Sequence, residues 1–117
     1  MEMRRVVVTG LGSLTPIGNT VEEYWQSLIN GVSGASPITH FDASQAKTQF
    51  ACEVKGFDAS KFFDRREVRK YDRFSQYGIV AAEQAVADCN VDFEKINKER
   101  AGVIWASGIG GIVTFQE

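Results

Sequence analysis

The chain has 117 residues, of which 44% are hydrophobic, 11% aromatic and 24% charged, and its formal net charge is −2. This composition is typical of a globular domain and excludes a disordered tail. No apolar run approaches the roughly 18 residues that a membrane span needs. The three valines after Arg5 are also far short of a signal-peptide core of about 7–15 apolar residues. The sequence therefore predicts a cytoplasmic protein.

The charges are unevenly distributed. From Lys61 to Arg73, six basic side chains stand against three acidic ones, so this segment carries +3 and the rest of the chain −5. A local basic surface on an acidic chain is compatible with a small anionic surface on a partner. Basic and acidic residues mixed along a helix are also typical of a solvated face with i,i+4 ion pairs. Charge alone favours the solvated face.

The hydrophobic pattern of the first third predicts a strand and a helix. Residues 4–9 contain three consecutive valines, which indicate a strand buried on both faces. Thr20 and Glu23 predict a reciprocal capping box at the start of a helix. An apolar stripe at helical spacing follows, and Gly31 is the expected C-terminal cap.

The remainder predicts a second helical region and another strand. Residues 49–54 favour a short edge strand. Asp64 and Glu67 form a second capping-box motif, which opens helical structure that runs, with a break, to about Cys89. The Gly and Ala residues on its apolar face predict deep packing against another backbone.

A short polar helix is expected over residues 93–97, and residues 102–106 read as a second buried strand. Strands and helices in this order are typical of an α/β fold. Two strands that are apolar on both faces need more neighbours than the chain supplies. The pattern therefore predicts the opening portion of a longer domain.

Two glycine motifs follow the predicted strands. Gly10 and Gly12 invite a dinucleotide-binding interpretation, but the third glycine of that fingerprint is replaced by Thr15 and the next helix begins too late. Residues 108–111 place glycines at the carboxyl end of a strand, where α/β proteins hold ligands. Close approach of a substrate and a tight turn explain them equally well.

The side chains most often used in catalysis form no recognisable motif. His40 is the only histidine, and no ligands at suitable spacing accompany it, so we expect a loop-stabilising hydrogen bond and no metal site. Cys52 and Cys89 are expected to be reduced and buried. Trp25 and Trp105 lie on apolar patterns that predict core positions.

Five strings do identify a family, and they occur in its order and spacing along the chain. They are residues 4–19, 31–34, 38–42, 69–77 and 107–111. Together they resemble the β-ketoacyl-[acyl-carrier-protein] synthases, the condensing enzymes of fatty-acid synthesis. The resemblance implies the α/β thiolase-like layered fold (α-β-α-β-α), of which residues 1–117 would form the first part of the amino-terminal half. Ile109 between glycines is similar to the long-chain type II enzymes.

The resemblance also implies a reaction. A cysteine accepts an acyl chain from acyl carrier protein, and two histidines assist the decarboxylation of malonyl-carrier protein, whose enolate lengthens the chain by two carbons. In the family these three residues lie beyond position 117. Cys52, Cys89 and His40 do not match them, so no catalytic residue is assigned and the segment alone is expected to be inactive. No metal or resident cofactor is expected, since the phosphopantetheine arrives on the carrier protein.

Four positions do match functional sites of the family. Arg66, Arg69 and Lys70 match the basic patch that docks the carrier protein, which changes our preferred interpretation of the basic segment from a solvated face to a docking surface. Ile109 matches a residue of the acyl pocket. The expected partners are acyl carrier protein and a second copy of the full-length enzyme, without nucleic acid or membrane. The alternative is a short, non-catalytic synthase-like binding module.

Overall fold

The computed structural model of the protein describes residues 3–116. These residues form two compact units. The first contains the described residues up to Gly12 and those from Ala59 onward, and the second is Ser13–Asp58.

The second unit contains helix α1, Val21–Ile29. The Thr20 hydroxyl accepts a hydrogen bond from the Glu23 backbone N–H at 3.2 Å, as expected for an N-cap. The Glu23 carboxylate, however, accepts from the backbone N–H of Asn19 at 2.8 Å. The reciprocal half of the predicted capping box is therefore wrong by one residue.

The end of α1 is a Schellman motif. The N–H of Gly31 donates to the carbonyl of Leu28 at 3.1 Å, and the N–H of Val32 donates to that of Ser27 at 2.9 Å. Gly31 has a φ of +65°, the left-handed conformation that this motif requires and glycine adopts without a steric penalty. The predicted C-terminal cap is confirmed.

Strands β1, Ser36–Pro37, and β2, Phe50–Ala51, pair antiparallel in the second unit, with Ser36 opposite Ala51. The predicted edge strand over residues 49–54 is thus confirmed in part, over only two residues. Pro37 lies opposite Phe50, and one further backbone hydrogen bond follows, from the Ile38 N–H to the Gln49 carbonyl at 3.0 Å.

In the first unit, helices α2, Arg65–Lys70, and α3, Arg73–Cys89, follow each other with a break of two residues. The Asp64 carboxylate accepts from the Glu67 N–H at 2.8 Å, and the Glu67 carboxylate accepts from the Asp64 N–H at 3.1 Å. The predicted capping box, the break and the helix end at Cys89 are confirmed.

The small core of this unit lies at the junction of α2 and α3, where Phe63, Gln76 and Val80 are buried. The prediction that α3 is deeply packed is wrong within the described chain, since only Gln76 and Val80 of that helix are buried. The predicted close approach is confirmed, because the backbone at Gly12 lies so near to α3 that a Cβ there would lie 2.7 Å from the Ala85 nitrogen.

The predicted strands over residues 4–9 and 102–106 form no ladder within the described residues, so both predictions are wrong for the structure of this chain. Their side chains are also exposed, Val6 by 90% and Ile104 by 98%. A strand needs backbone partners from another strand, and none of the described segments supplies them.

Residues 93–97 form a turn, and a 3₁₀ turn follows at Lys98–Arg100. The predicted helix is wrong because Asp92 and Asn97 accept hydrogen bonds from the N–H groups of Glu94 and Glu99, which competes with helix formation. A short helix that was not predicted, α4, spans Ile112–Gln116.

Three further expectations concern single side chains and the membrane. Trp25 and Trp105 are exposed, so their predicted core positions are wrong. Cys52 and Cys89 are free thiols, but Cys52 is exposed and Cys89 is half-buried. No helix within residues 3–116 is long and apolar enough to cross a membrane.

Candidate functional site

Helix α2 presents the three predicted docking residues on one exposed face. Arg66, Arg69 and Lys70 are separated by three and four positions, so their side chains lie next to each other on the helix surface. All three are exposed. The structure therefore brings the predicted basic residues together.

The acids of the same segment make their hydrogen bonds away from the three basic side chains. Asp64 and Glu67 are occupied by the capping box, and Asp72 accepts a hydrogen bond from the Thr114 hydroxyl. Within the described chain, Arg66, Arg69 and Lys70 form no ion pair. At these three residues, the described chain therefore does not form the i,i+4 pairs of a solvated helix face.

Two interactions fix the position of α2. The rings of Phe63 and Tyr71, which flank the helix, pack edge to face with centroids 6.0 Å apart. The side-chain amide of Gln76, only 4% exposed, donates to the carbonyls of Val68 at 3.1 Å and Tyr71 at 2.9 Å. Gln76 thus caps the carboxyl end of α2 from α3, a role that sequence reasoning missed.

An apolar groove of about 390 Å³ lies beside α3 in the same unit. Its lining is mostly apolar and aromatic, which suits an aliphatic ligand. The lining residues are Tyr71, Phe74, Ser75, Gly78, Ile79, Ala82, Val103 and Trp105. Since Tyr71 directly follows Lys70, the groove begins next to the basic face of α2.

The approach of α3 and the 103–105 segment across this groove depends on Gly78. A Cβ at Gly78 would lie 2.8 Å from the Trp105 indole nitrogen. Sequence reasoning identified Gly78 on the small-residue stripe of α3 but not its partner Trp105. The pairing depends on residues 27 positions apart, which no local pattern relates.

Ile109 is not among the residues that line the groove, and its side chain is 78% exposed. Its neighbour Gly110 lies against the ring of Phe74, which does line the groove. A Cβ built on Gly110 would lie 3.0 Å from the edge of that ring. The segment that carries Ile109 therefore lies at the rim of the groove. Whether Ile109 contacts an acyl chain stays a prediction.

His40 belongs to a polar cluster in the second unit. The Glu53 carboxylate accepts hydrogen bonds from the Thr39 hydroxyl at 2.7 Å and from the Thr39 and His40 N–H groups at 3.0 and 3.3 Å. The Thr39 hydroxyl is the main cause of the lowered pKa of Glu53. His40 thus makes a hydrogen bond in this loop through its backbone N–H, whereas its imidazole lies 3.7 Å from Glu53, beyond hydrogen-bond distance. No group of three or more His, Cys, Asp or Glu residues within residues 3–116 could hold a metal ion.

Comparison with known proteins identifies the family. Residues 3–117 match the family described as beta-ketoacyl synthase, N-terminal domain. The chain belongs to the β-ketoacyl synthase family. This confirms the family that the five strings predicted.

Three relatives within the β-ketoacyl synthase family are named 3-oxoacyl-[acyl-carrier-protein] synthase 2. That of Synechocystis sp. is 45% identical over 117 residues, which are 100% of this chain and 28% of the relative. Those of Vibrio cholerae and Staphylococcus aureus are 48% and 43% identical and match 96% and 97% of this chain. The chain spans 27–28% of the length of these relatives.

Two solved ketosynthase structures resemble this segment. The ishigamide ketosynthase/chain length factor superposes with a TM-score of 0.70 and 38% identity, over 80% of this chain and 23% of that chain. A type II polyketide synthase acyl-carrier protein in complex with its ketosynthase bound to the hexaketide gives a TM-score of 0.57 at 31% identity, over 78% and 23% of the two chains. About four-fifths of this chain therefore superposes on part of a ketosynthase.

Proposed function

We propose that residues 1–117 are the amino-terminal segment of a type II 3-oxoacyl-[acyl-carrier-protein] synthase. The observation that carries this proposal is the match of nearly the whole chain to the family, at 43–48% identity to relatives of that name. The proposed enzyme is an acyltransferase of fatty-acid elongation. It condenses an acyl thioester with malonyl-acyl carrier protein.

The proposed reaction has two stages. A cysteine thiolate attacks the acyl thioester of the carrier protein and releases the phosphopantetheine thiol. Malonyl-carrier protein then loses CO₂, and the resulting enolate attacks the enzyme thioester and regenerates the cysteine. By family resemblance the cysteine and two histidines lie outside this segment, so residues 1–117 alone should not condense substrates. The phosphopantetheine is part of the carrier protein, and no resident cofactor is proposed.

The contribution of this segment is to bind substrate. We assign docking of the acidic carrier protein to Arg66, Arg69 and Lys70, because their positive charges share one exposed face and form no ion pair within residues 3–116. One of the similar structures is itself a ketosynthase in complex with its acyl-carrier protein, which supports the same class of partner.

Condensation is tested directly with the full-length protein, acyl-carrier protein and malonyl-carrier protein. We expect 3-oxoacyl-carrier protein and CO₂ in equal amounts, measured by mass spectrometry and CO₂ release. Binding of the carrier protein without any condensation product would contradict the proposed condensing activity and favour the non-catalytic binding module.

Charge reversal tests the docking surface. In the full-length protein, Arg69→Glu with Lys70→Glu should weaken binding of acyl carrier protein about tenfold or more at low salt, with little loss of fold stability. Lys95→Glu with Lys98→Glu is the matched control, because it changes the charge equally but at residues already paired with Asp92 at 3.0 Å and Glu94 at 2.9 Å. Equal affinity of wild type and the Arg69/Lys70 variant would refute the docking role.

Side-chain size at position 109 tests the acyl pocket. Ile109→Gly and Ile109→Phe should shift the preferred acyl length in opposite directions, because they enlarge and reduce the space at this position. The rates with carrier proteins that hold acyl chains of increasing length measure the shift, and Ile109→Val is the conservative control. A profile that none of the variants changes would remove Ile109 from the pocket.

The layered α-β-α-β-α fold and the homodimer belong to the same proposal. The exposed segments 4–9 and 102–106 would become inner strands of a sheet completed by the rest of the protein. Intact mass of the purified protein and the reading frame after Glu117 test whether the rest of the protein is present to complete the sheet. A continuation with a cysteine and two histidines supports the enzyme, and a stop codon favours the binding module.

A further inference from the structure

Asp72 occupies the break between α2 and α3 but does not cap α3. It is the N-cap residue of α3 by position, yet its carboxylate makes no capping hydrogen bond within the described chain. Instead, it accepts a hydrogen bond from the hydroxyl of Thr114, 42 residues further along the chain. This contact joins the junction of the two helices to α4.

The glycines before α4 make room for this contact. A Cβ at Gly111 would lie 2.6 Å from the carboxylate carbon of Asp72, so no larger residue fits there without displacing the carboxylate. Gly110 has a φ of +71° and lies against the ring of Phe74. The Ser107 hydroxyl accepts from the Gly110 N–H at 3.2 Å. The segment 107–111 is therefore held on both sides of Ile109.

We infer that Asp72 is a positioning residue for Ile109, and that through this segment it sets the range of acyl lengths that the enzyme accepts. The inference rests on the proposed function. The Asp72–Thr114 hydrogen bond and the close packing of Gly111 against the Asp72 carboxylate fix the backbone that follows Ile109. The Ser107 turn and the packing of Gly110 against Phe74 would remain without them, but the backbone after Gly110 would lose its contacts with Asp72, and the position of the exposed Ile109 side chain at the rim of the groove would vary.

The test uses Asp72→Ala and Thr114→Val in the full-length protein. Each removes one side of the hydrogen bond, so each should change the ratio of kcat/KM for long and medium acyl chains about fivefold, and the double variant should add little. Thr114→Ser retains the hydroxyl and should restore the wild-type ratio. Affinity for acyl carrier protein should stay unchanged, because the basic residues of α2 are intact.

Asp88→Ala is the matched control on the same helix. The Asp88 carboxylate accepts the Leu11 N–H at 2.9 Å, so its loss should lower stability without changing the acyl-length ratio.

If Asp72→Ala and Thr114→Val lower the melting temperature but leave the ratio as in wild type, the inference is overturned and the contact is only structural. Thr114→Val preserves the side-chain shape and answers the question even if Asp72→Ala does not fold. A wild-type protein without condensing activity would overturn the proposed function as well, whereas an active wild type with unchanged variant ratios would overturn this inference alone.

Discussion

The junction of α2 and α3 and the two apolar segments 4–9 and 102–106 differ in where their hydrogen bonds are made. At the junction, Asp64, Glu67 and Gln76 satisfy the ends of α2 with partners at most eight residues away. The apolar segments have strongly strand-forming sequences, but no described segment pairs with them. A helix closes its own hydrogen bonds, while a strand depends on a neighbour.

The same difference separates the proposed functions of these regions. The basic face of α2 is formed by a short stretch of sequence, so its three side chains are brought together locally. The groove combines α3 with Val103 and Trp105, which only the tertiary structure brings together. We therefore expect a change at a long-range contact to lower the free energy of unfolding more than a change at a local contact.

The largest effect is expected where a chain segment lies against α3. Gly12→Ala should lower the free energy of unfolding by about 2 kcal/mol, because the new methyl group would overlap the Ala81 carbonyl oxygen and crowd the Ala85 nitrogen. Urea unfolding of the full-length protein measures it. No loss of stability in Gly12→Ala would contradict the close packing of this backbone against α3.

A smaller effect is expected at the local contact. Asp64→Ala removes the capping box and should cost about 1 kcal/mol of stability, whereas Asp64→Asn retains an acceptor for the first-turn N–H groups and should cost less. Chemical denaturation compares the two variants. Equal destabilisation by both would indicate that the charge of Asp64, and not its capping hydrogen bonds, stabilises α2.

The smallest effect is expected at Glu53, and it depends on pH. The pKa of Glu53 is lowered in the folded protein, mainly by the Thr39 hydroxyl, so its stabilising contribution is complete above the unfolded-state pKa of about 4.3 and is lost as pH falls through the folded value. Thr39→Val and Glu53→Gln should both flatten the decrease of stability below this pH. His40→Asn should change it less, because the charge of His40 is the last of the causes. A larger change in His40→Asn than in Thr39→Val would contradict the order of these causes.

Local signals in the sequence predicted much of this architecture. The capping box at Asp64, the break before α3 and the left-handed Gly31 are confirmed because each depends on atoms only a few residues apart. The error at Thr20 is also local, since the Glu23 carboxylate reaches the Asn19 N–H in preference to the neighbouring one. Local motifs thus specify that a helix begins, and side-chain reach decides which N–H is satisfied.

The proposed functional residues divide in the same way. Arg66, Arg69 and Lys70 could be placed on one face from their spacing alone, since helical periodicity fixes it. The groove, the Gln76 cap and the Asp72–Thr114 contact could not be predicted. Gln76 and Asp72 are polar residues near a helix start, and sequence gives no signal of which distant carbonyl or hydroxyl they bind.

The sequence by itself determined the helices α1 to α3, their ends and the basic face of α2, and its motifs identified the family. Tertiary structure decided how residues far apart meet: Gly12 against Ala81, Trp105 against Gly78, and Thr114 against Asp72. The physical reason is the range of the interactions. Capping and helical hydrogen bonds act within one or two turns, whereas close packing depends on the path of the whole backbone.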